Sequence, residues 1–245
     1  MCLIVFAWRI VPGMPLFAAA NRDEFYARPS APATAWPGHP QVYAGRDLQA
    51  GGSWMGITKS NANASRFAAL TNIRCPQEHR ADAPSRGMLV ANYLTGTMTA
   101  QEYVAQIASA SAAYNGYNLL LGDANTLIWF SNRGQSDARN GKPLAPGIYG
   151  LSNALLDTPW PKVLKTKAQL ASLLCQGAPY EAYLEMLADT AHAPDCRLPE
   201  TGVRLELERV LSAVRIESPD YGTRSSSVVK LYADGAAELR EVLIQ

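Results

Sequence analysis

Cys2-Leu3-Ile4-Val5-Phe6-Ala7-Trp8 and Leu16-Phe17-Ala18-Ala19-Ala20 are two apolar runs joined through Val11-Pro12-Gly13-Met14-Pro15. The first run is unbroken and holds β-branched and aromatic residues, the composition of a strand buried on both faces. Pro followed by Gly supplies a fixed φ and then a positive φ, so the linker predicts a tight turn and the two runs an antiparallel hairpin. With Val11 and Met14 flanking the turn, paired positions add to about 25, with a residue of slippage allowed. Cys2 is then expected opposite Asp23, beside Arg22 and Glu24. Neighbours on a strand point to opposite faces. Either Arg22 with Glu24 shares the face of Cys2, or Asp23 does.

Further strands are expected over Val42–Asp47, Trp54–Lys59, Phe67–Ile73, Asn118–Gly122, Leu127–Ser131 and Ile148–Ser152. Two more, Ser227–Ala233 and Ala237–Ile244, are joined by an Asp234-Gly235 turn. Met88–Leu94 reads as a helix, and Thr99 with Glu102 as a capping box that starts another. Periodic apolar positions predict three later helices: one through Val163, Leu170 and Leu174, one through Tyr180, Tyr183, Leu184 and Leu187, and one through Leu207, Val210, Leu211 and Val214. Lys162, Lys165 and Lys167 read as a solvated face. Residues 27–40 hold Pro29, Pro32, Pro37 and Pro40, which predicts a surface loop. Strand clusters divided by two helical blocks need two sheets with helices outside them, a pattern compatible with, but not unique to, a single α+β domain over 1–245 built as a four-layer α/β/β/α sandwich of two mainly antiparallel sheets.

A chain of 245 residues with 48% hydrophobic residues can furnish a sizeable core. Its formal charge of +1, from 22 basic and 21 acidic residues, offers no excess to neutralise a phosphate backbone, so no nucleic-acid partner is expected. No apolar run approaches the ~20 residues of a membrane span. The opening lacks a basic segment and a small-residue cleavage site, so a cytoplasmic protein is expected. Cys2, Cys75, Cys175 and Cys196 are scattered, and His39, His79 and His192 give no ligand spacing; neither metal nor cofactor is expected. Oligomeric state is not encoded.

Several short pieces carry a resemblance. Met1-Cys2 before the first run, Asn21-Arg22-Asp23-Glu24-Phe25, Gly51-Gly52-Ser53-Trp54-Met55-Gly56, Thr71-Asn72, Ser152-Asn153 and Tyr221-Gly222-Thr223-Arg224-Ser225-Ser226 follow one another in this order. Together they resemble the NRDE family, whose eukaryotic members are the transport and Golgi organisation 2 proteins. That family is similar to the cysteine N-terminal nucleophile (Ntn) hydrolases, which implies the same α/β/β/α sandwich. Residue by residue, the resemblance implies Cys2 as nucleophile, Arg22 and Asp23 beside it, Asn153 as oxyanion donor, Asn72 as a second donor, and Arg224 as a distant member of the site. In the acylases of that class the Arg and Asp are separated, whereas here they are adjacent.

The residues themselves permit such chemistry. Once Met1 is removed, Cys2 carries a thiol and an α-amine of ordinary pKa ~7.7–8.0, suited to act as its own general base. Arg22 favours a thiolate. Asn72 and Asn153 each follow Leu-x at a strand end, where asparagine either makes a turn or offers its amide to an oxyanion. Glu24, Gly52 and Trp54 are candidate substrate contacts: the paired glycines allow close approach of a ligand and Trp54 can floor an apolar pocket. The expected function is an amidohydrolase that cleaves a linear C–N amide bond of a small-molecule substrate through a Cys2 thioester. The alternative is a non-catalytic ligand-binding or trafficking protein, for example in haem handling, for which Cys75-Pro76 is the pertinent dipeptide.

Overall fold

An unbroken apolar run stays a strand only if both faces are covered, and β1 (Cys2–Val11) is. In the computed structural model, which describes residues 2–59 and 65–244 without the side chain of Cys2, Ile4, Phe6 and Trp8 point into the layer between two sheets. Leu3, Val5 and Ala7 point into a layer shared with helices. The same alternation divides β2 (Met14–Phe25): Leu16, Ala18 and Ala20 lie between the sheets, Phe17 and Ala19 beneath the helices.

Two antiparallel sheets result. The first has the order β11 (Ala237–Leu243), β10 (Tyr221–Leu231), β2, β1, β9 (Gly147–Leu151). The second runs β3 (Ser30–Trp36), β4 (His39–Asp47), β5 (Met55–Thr58), β6 (Arg66–Asn72), β7 (Tyr117–Asp123), β8 (Leu127–Ser131). Helices α1 (Gly87–Thr95) and α2 (Ala100–Ala108) cover the second sheet through Leu89, Leu94, Val104 and Ile107. Helices α3 (Pro161–Cys175) and α4 (Tyr180–Leu187) cover the first through Val163, Leu170, Tyr183 and Leu187. The layers are those of an α+β sandwich. The Thr99 capping box is present in full, with Thr99 Oγ1 accepting from the Glu102 amide at 3.3 Å and Glu102 Oε2 from the Thr99 amide at 2.8 Å.

Three readings of the sequence need correction. Residues 30–36 are a strand, not a loop. β3 is the edge of its sheet, where a missing amide costs no ladder bond, and Pro32 falls at a register shift between Ala31 and Thr34. The turn before β4 is Pro37-Gly38, with Gly38 at φ 78°. The last helix, α5 (Leu205–Leu211), is short; it buries Glu208 and Leu211 while Leu207 is exposed, and Val214 lies beyond it in the core under the helices. Lys162 is not solvated: it is 2% exposed in the first turn of α3.

Candidate functional site

The hairpin register decides what faces what at the end of β2. Val11 pairs with Met14, but from Trp8 onward the pairing has shifted by one, so that Leu3 meets Asn21 and Cys2 meets Arg22. The shift lies at Arg9-Ile10, where Arg9 takes a left-handed φ of 52°, a bulge that inserts one residue into the strand. Directly opposed residues share a face, so the backbone of Cys2 is matched to Arg22, not Asp23. The Cys2 thiol and Met1 lie outside the described residues.

Arg22 is 6% exposed. Its guanidinium stacks on Trp54, 4.0 Å from the ring centroid, and Nη1 donates to Ser30 Oγ at 3.3 Å. A delocalised, weakly hydrated cation suits such a face. Arg22, Asp23, Glu24, Trp54 and Asn72 share the wall of one cavity of about 760 Å³, the size of a small-molecule site. Glu24 Oε1 caps the Phe25 amide at 2.9 Å and Oε2 is 3.9 Å from Arg28. Arg28 in turn donates to Asp47 Oδ2 at 2.7 Å, which holds the Asp47 carboxyl below its usual range against the burial that raises it.

Asp23 takes the other face and is 1% exposed. Thr223 Oγ1 donates to its Oδ1 at 2.6 Å. Burial pushes the Asp23 carboxyl up, and the charges of Lys162 and Arg74 and the Thr223 hydroxyl pull against that rise. Asn21, two positions earlier, is structural: its Nδ2 donates to the Leu187 and Val214 carbonyls at 2.8 and 2.9 Å, tying α4 and the chain after α5 to the sheet.

The remaining sequence candidates occupy distinct positions. Asn153 Nδ2 donates to the Asn72 carbonyl at 2.9 Å, so the two asparagines touch. Asn72 faces the main cavity, whereas Asn153 faces a second one of about 440 Å³ shared with Arg74, Cys75 and Trp160. Gly52 has a backbone neighbour: a Cβ there would come within 2.3 Å of the Gly87 carbonyl carbon at the start of α1. Arg224 sits at the bulge of β10, its Nη1 donating to the carbonyls of Phe25, Tyr26 and Arg28 at 3.0–3.3 Å. It holds the turn that leaves the Asn21–Glu24 segment.

Two groups had no sequence signal. Arg74 Nη1 meets Glu208 Oε2 at 2.7 Å with both side chains about 5% exposed or less, and the guanidinium lies 4.8 Å from the Trp160 ring. Lys162 is the second. The apolar positions around it gave the helix but not which lysine turns inward. Among the described residues no cluster of His, Cys, Asp and Glu could hold a metal ion, and no helix is long and apolar enough to cross a membrane.

Comparison with known proteins completes the description. The family model described as Transport and Golgi organisation 2 matches residues 1–245. The transport and Golgi organization protein 2 homolog of Bos taurus is 35% identical, covering 98% of this chain and 92% of that protein. The Homo sapiens homolog is 33% identical over the same shares. Transport and Golgi organization protein 2 of Drosophila melanogaster is 30% identical, covering 94% of this chain and 87% of that protein. The fold, the Asn21–Glu24 strand end and these matches agree: the chain belongs to the transport and Golgi organisation 2 family.

Proposed function

We propose that the protein is an N-terminal-cysteine amidohydrolase acting on a small molecule with a linear C–N amide bond. The observation that carries this reading is the backbone pairing of Cys2 with Arg22, whose buried guanidinium opens on the main cavity. A fixed cation there favours a thiolate. In the reaction, the α-amine of processed Cys2 takes the thiol proton, sulfur adds to the amide carbonyl, and the C–N bond breaks as that proton passes to the leaving amine. Water then cleaves the thioester, giving the carboxylic acid and returning the thiol. Asn72 and Asn153 are the oxyanion donors of this reading. An amide has two N–H donors, so Asn153 keeps one beyond the bond it gives Asn72. The Ntn-like mechanism, cytoplasmic location and absence of a cofactor belong to this proposal.

A binding protein on the same fold is the second reading, favoured by Cys75, which opens on the second cavity beside Trp160. Intact mass before and after a limiting thiol alkylator separates the two. The hydrolase is expected to lack Met1 and to label first at Cys2, with Cys2→Ser unlabelled there. Retained Met1 or indiscriminate labelling removes the hydrolase. A Soret band shift on adding haem, lost in Cys75→Ala, supports the second reading.

A further inference from the structure

Asn118, the second residue of β7, is 0% exposed. It lies on the strand face of Leu120, which turns it into the apolar layer between the two sheets. A primary amide there costs free energy unless its polar atoms find partners. Its Nδ2 donates to Thr71 Oγ1 at 3.0 Å and to the Ala154 carbonyl at 2.8 Å, and its Oδ1 accepts from Trp129 Nε1 at 3.1 Å. An indole N–H only donates and a carbonyl only accepts, so the amide has a single orientation.

Two of these partners flank the candidate oxyanion donors. Thr71 directly opposes Asn118 across the ladder and precedes Asn72; Ala154 follows Asn153. The two asparagines come from different sheets. Asn72 ends β6 of the second, and Asn153 lies just beyond β9 of the first. Their mutual placement therefore depends on how one sheet sits on the other. Apolar contact between sheets is non-directional. A hydrogen bond weakens steeply when its line is bent, so it resists lateral slip. Slip at this point is opposed by the bond from Asn153 Nδ2 to the Asn72 carbonyl, at 2.9 Å, and by the Arg74 amide donating to the Asn153 carbonyl at 2.8 Å. The Asn118 amide adds to both from outside the pair, and it uses no donor of either asparagine.

We infer that Asn118 is a positioning residue of this site: through Thr71 and Ala154 it fixes Asn72 and Asn153 against each other across the two sheets. The inference rests on the amidohydrolase reading, in which those two amides meet the oxyanion. A group misplaced there by about 1 Å can cost ~100-fold in rate.

The test compares two reactions of the Cys2 thiol in the full chain. With p-nitrophenyl acetate the α-amine takes the thiol proton, sulfur adds to the ester carbonyl, and the C–O bond breaks to release p-nitrophenolate. With iodoacetamide sulfur displaces iodide and no oxyanion forms. The ratio of the two rates therefore reads oxyanion stabilisation apart from thiol reactivity. In Asn118→Leu the ratio is expected to fall by about 10–100-fold. An unchanged ratio in a folded variant, whether both rates hold or both fall, overturns the inference. Asn118→Asp keeps the acceptor for Trp129 and loses the amide donors; it is the second variant, with the same expected fall. If neither folds, hydrogen exchange in the wild type decides. Asn118 side-chain amide protons that exchange as slowly as the β7 backbone support the clamp, and exchange as fast as that of an exposed asparagine refutes it. A wild type that releases no nitrophenolate through Cys2 removes the hydrolase reading and this inference with it. A reactive wild type beside a variant of equal ratio removes the inference alone.

Discussion

The two outer layers of the sandwich bury different chemistry. Over the second sheet, α1 and α2 enclose Leu89, Leu94, Tyr93, Tyr103, Tyr117 and Phe130. Polar atoms there serve the backbone: Tyr103 donates to the Leu89 carbonyl at 2.8 Å, and Arg66 caps the end of α1 through the Tyr93 and Gly96 carbonyls. Over and around the first sheet, the same kind of helical cover buries Asp23, Lys162 and Glu208. Buried charge is expensive and adds little stability over an apolar replacement. With Arg22 on the other face of β2, these are the charged residues buried among the described residues, and none lies beneath α1 and α2.

The difference is best tested by removing one member from each layer. Glu208→Ala leaves Arg74 buried without its carboxylate and also deprives the Thr201 amide of its acceptor at 2.9 Å. The expected loss is about 3–5 kcal/mol in a urea titration, while replacing both Arg74 and Glu208 by apolar residues recovers most of it. A loss under about 1 kcal/mol would mean the pair is solvated and the contrast between layers is false. On the other side, Leu94→Ala, at 1% exposure, is expected to cost about 2–4 kcal/mol by cavity formation alone. It should leave Asp23 chemistry unchanged.

How far these layers could be read from residues alone follows from the same contrast. Period and turn chemistry are local, so the Pro12-Gly13 hairpin, the Thr99 capping box and the helix around Tyr183 were legible. β3 was not, because prolines forbid a central strand but not an edge, and edge position is a property of the whole sheet. Of the site candidates named from the sequence, Arg22, Asp23, Glu24, Trp54 and Asn72 line one cavity, whereas Asn153 faces another. The one-residue bulge at Arg9 could not be foreseen, and it moved the partner of Cys2 from Asp23 to Arg22. Lys162 was misread because a lysine beside Lys165 and Lys167 carries no local mark of burial.

Acidity distinguishes two kinds of buried acid. Burial raises Asp23 and raises Tyr103, the latter to about 12. An acid whose folded pKa is raised binds its proton more tightly in the folded state. Its stabilising contribution is complete below the unfolded pKa and is lost as pH rises through the folded one. For Asp23 that loss begins near the ordinary carboxylate value of ~3.9, at about 1.4 kcal/mol for each pH unit over which only the folded state holds the proton. For the tyrosines it begins near ~10. Asp23→Asn is expected to flatten the decline of stability between acid and neutral pH and to leave any decline above pH ~10 intact. A wild-type curve with no carboxylate-linked decline would break the distinction.

Smaller effects sharpen the picture of the second layer. Thr99→Ala removes the acceptor of the Glu102 amide and is expected to cost about 1 kcal/mol. Tyr117→Phe should act in the opposite direction. Its hydroxyl is fully buried with no hydrogen-bond partner among the described residues, so the folded state bears a desolvation cost with no bond to offset it. Deleting the oxygen is expected to raise stability by about 0.5 kcal/mol in thermal or urea unfolding. The ring contacts to Tyr114 and Phe130, at 5.8 and 6.1 Å between centroids, are kept. A loss of stability instead would reveal a polar partner for Tyr117, and with it a further buried polar contact beneath α1 and α2, beside the bond from Tyr103 to the Leu89 carbonyl.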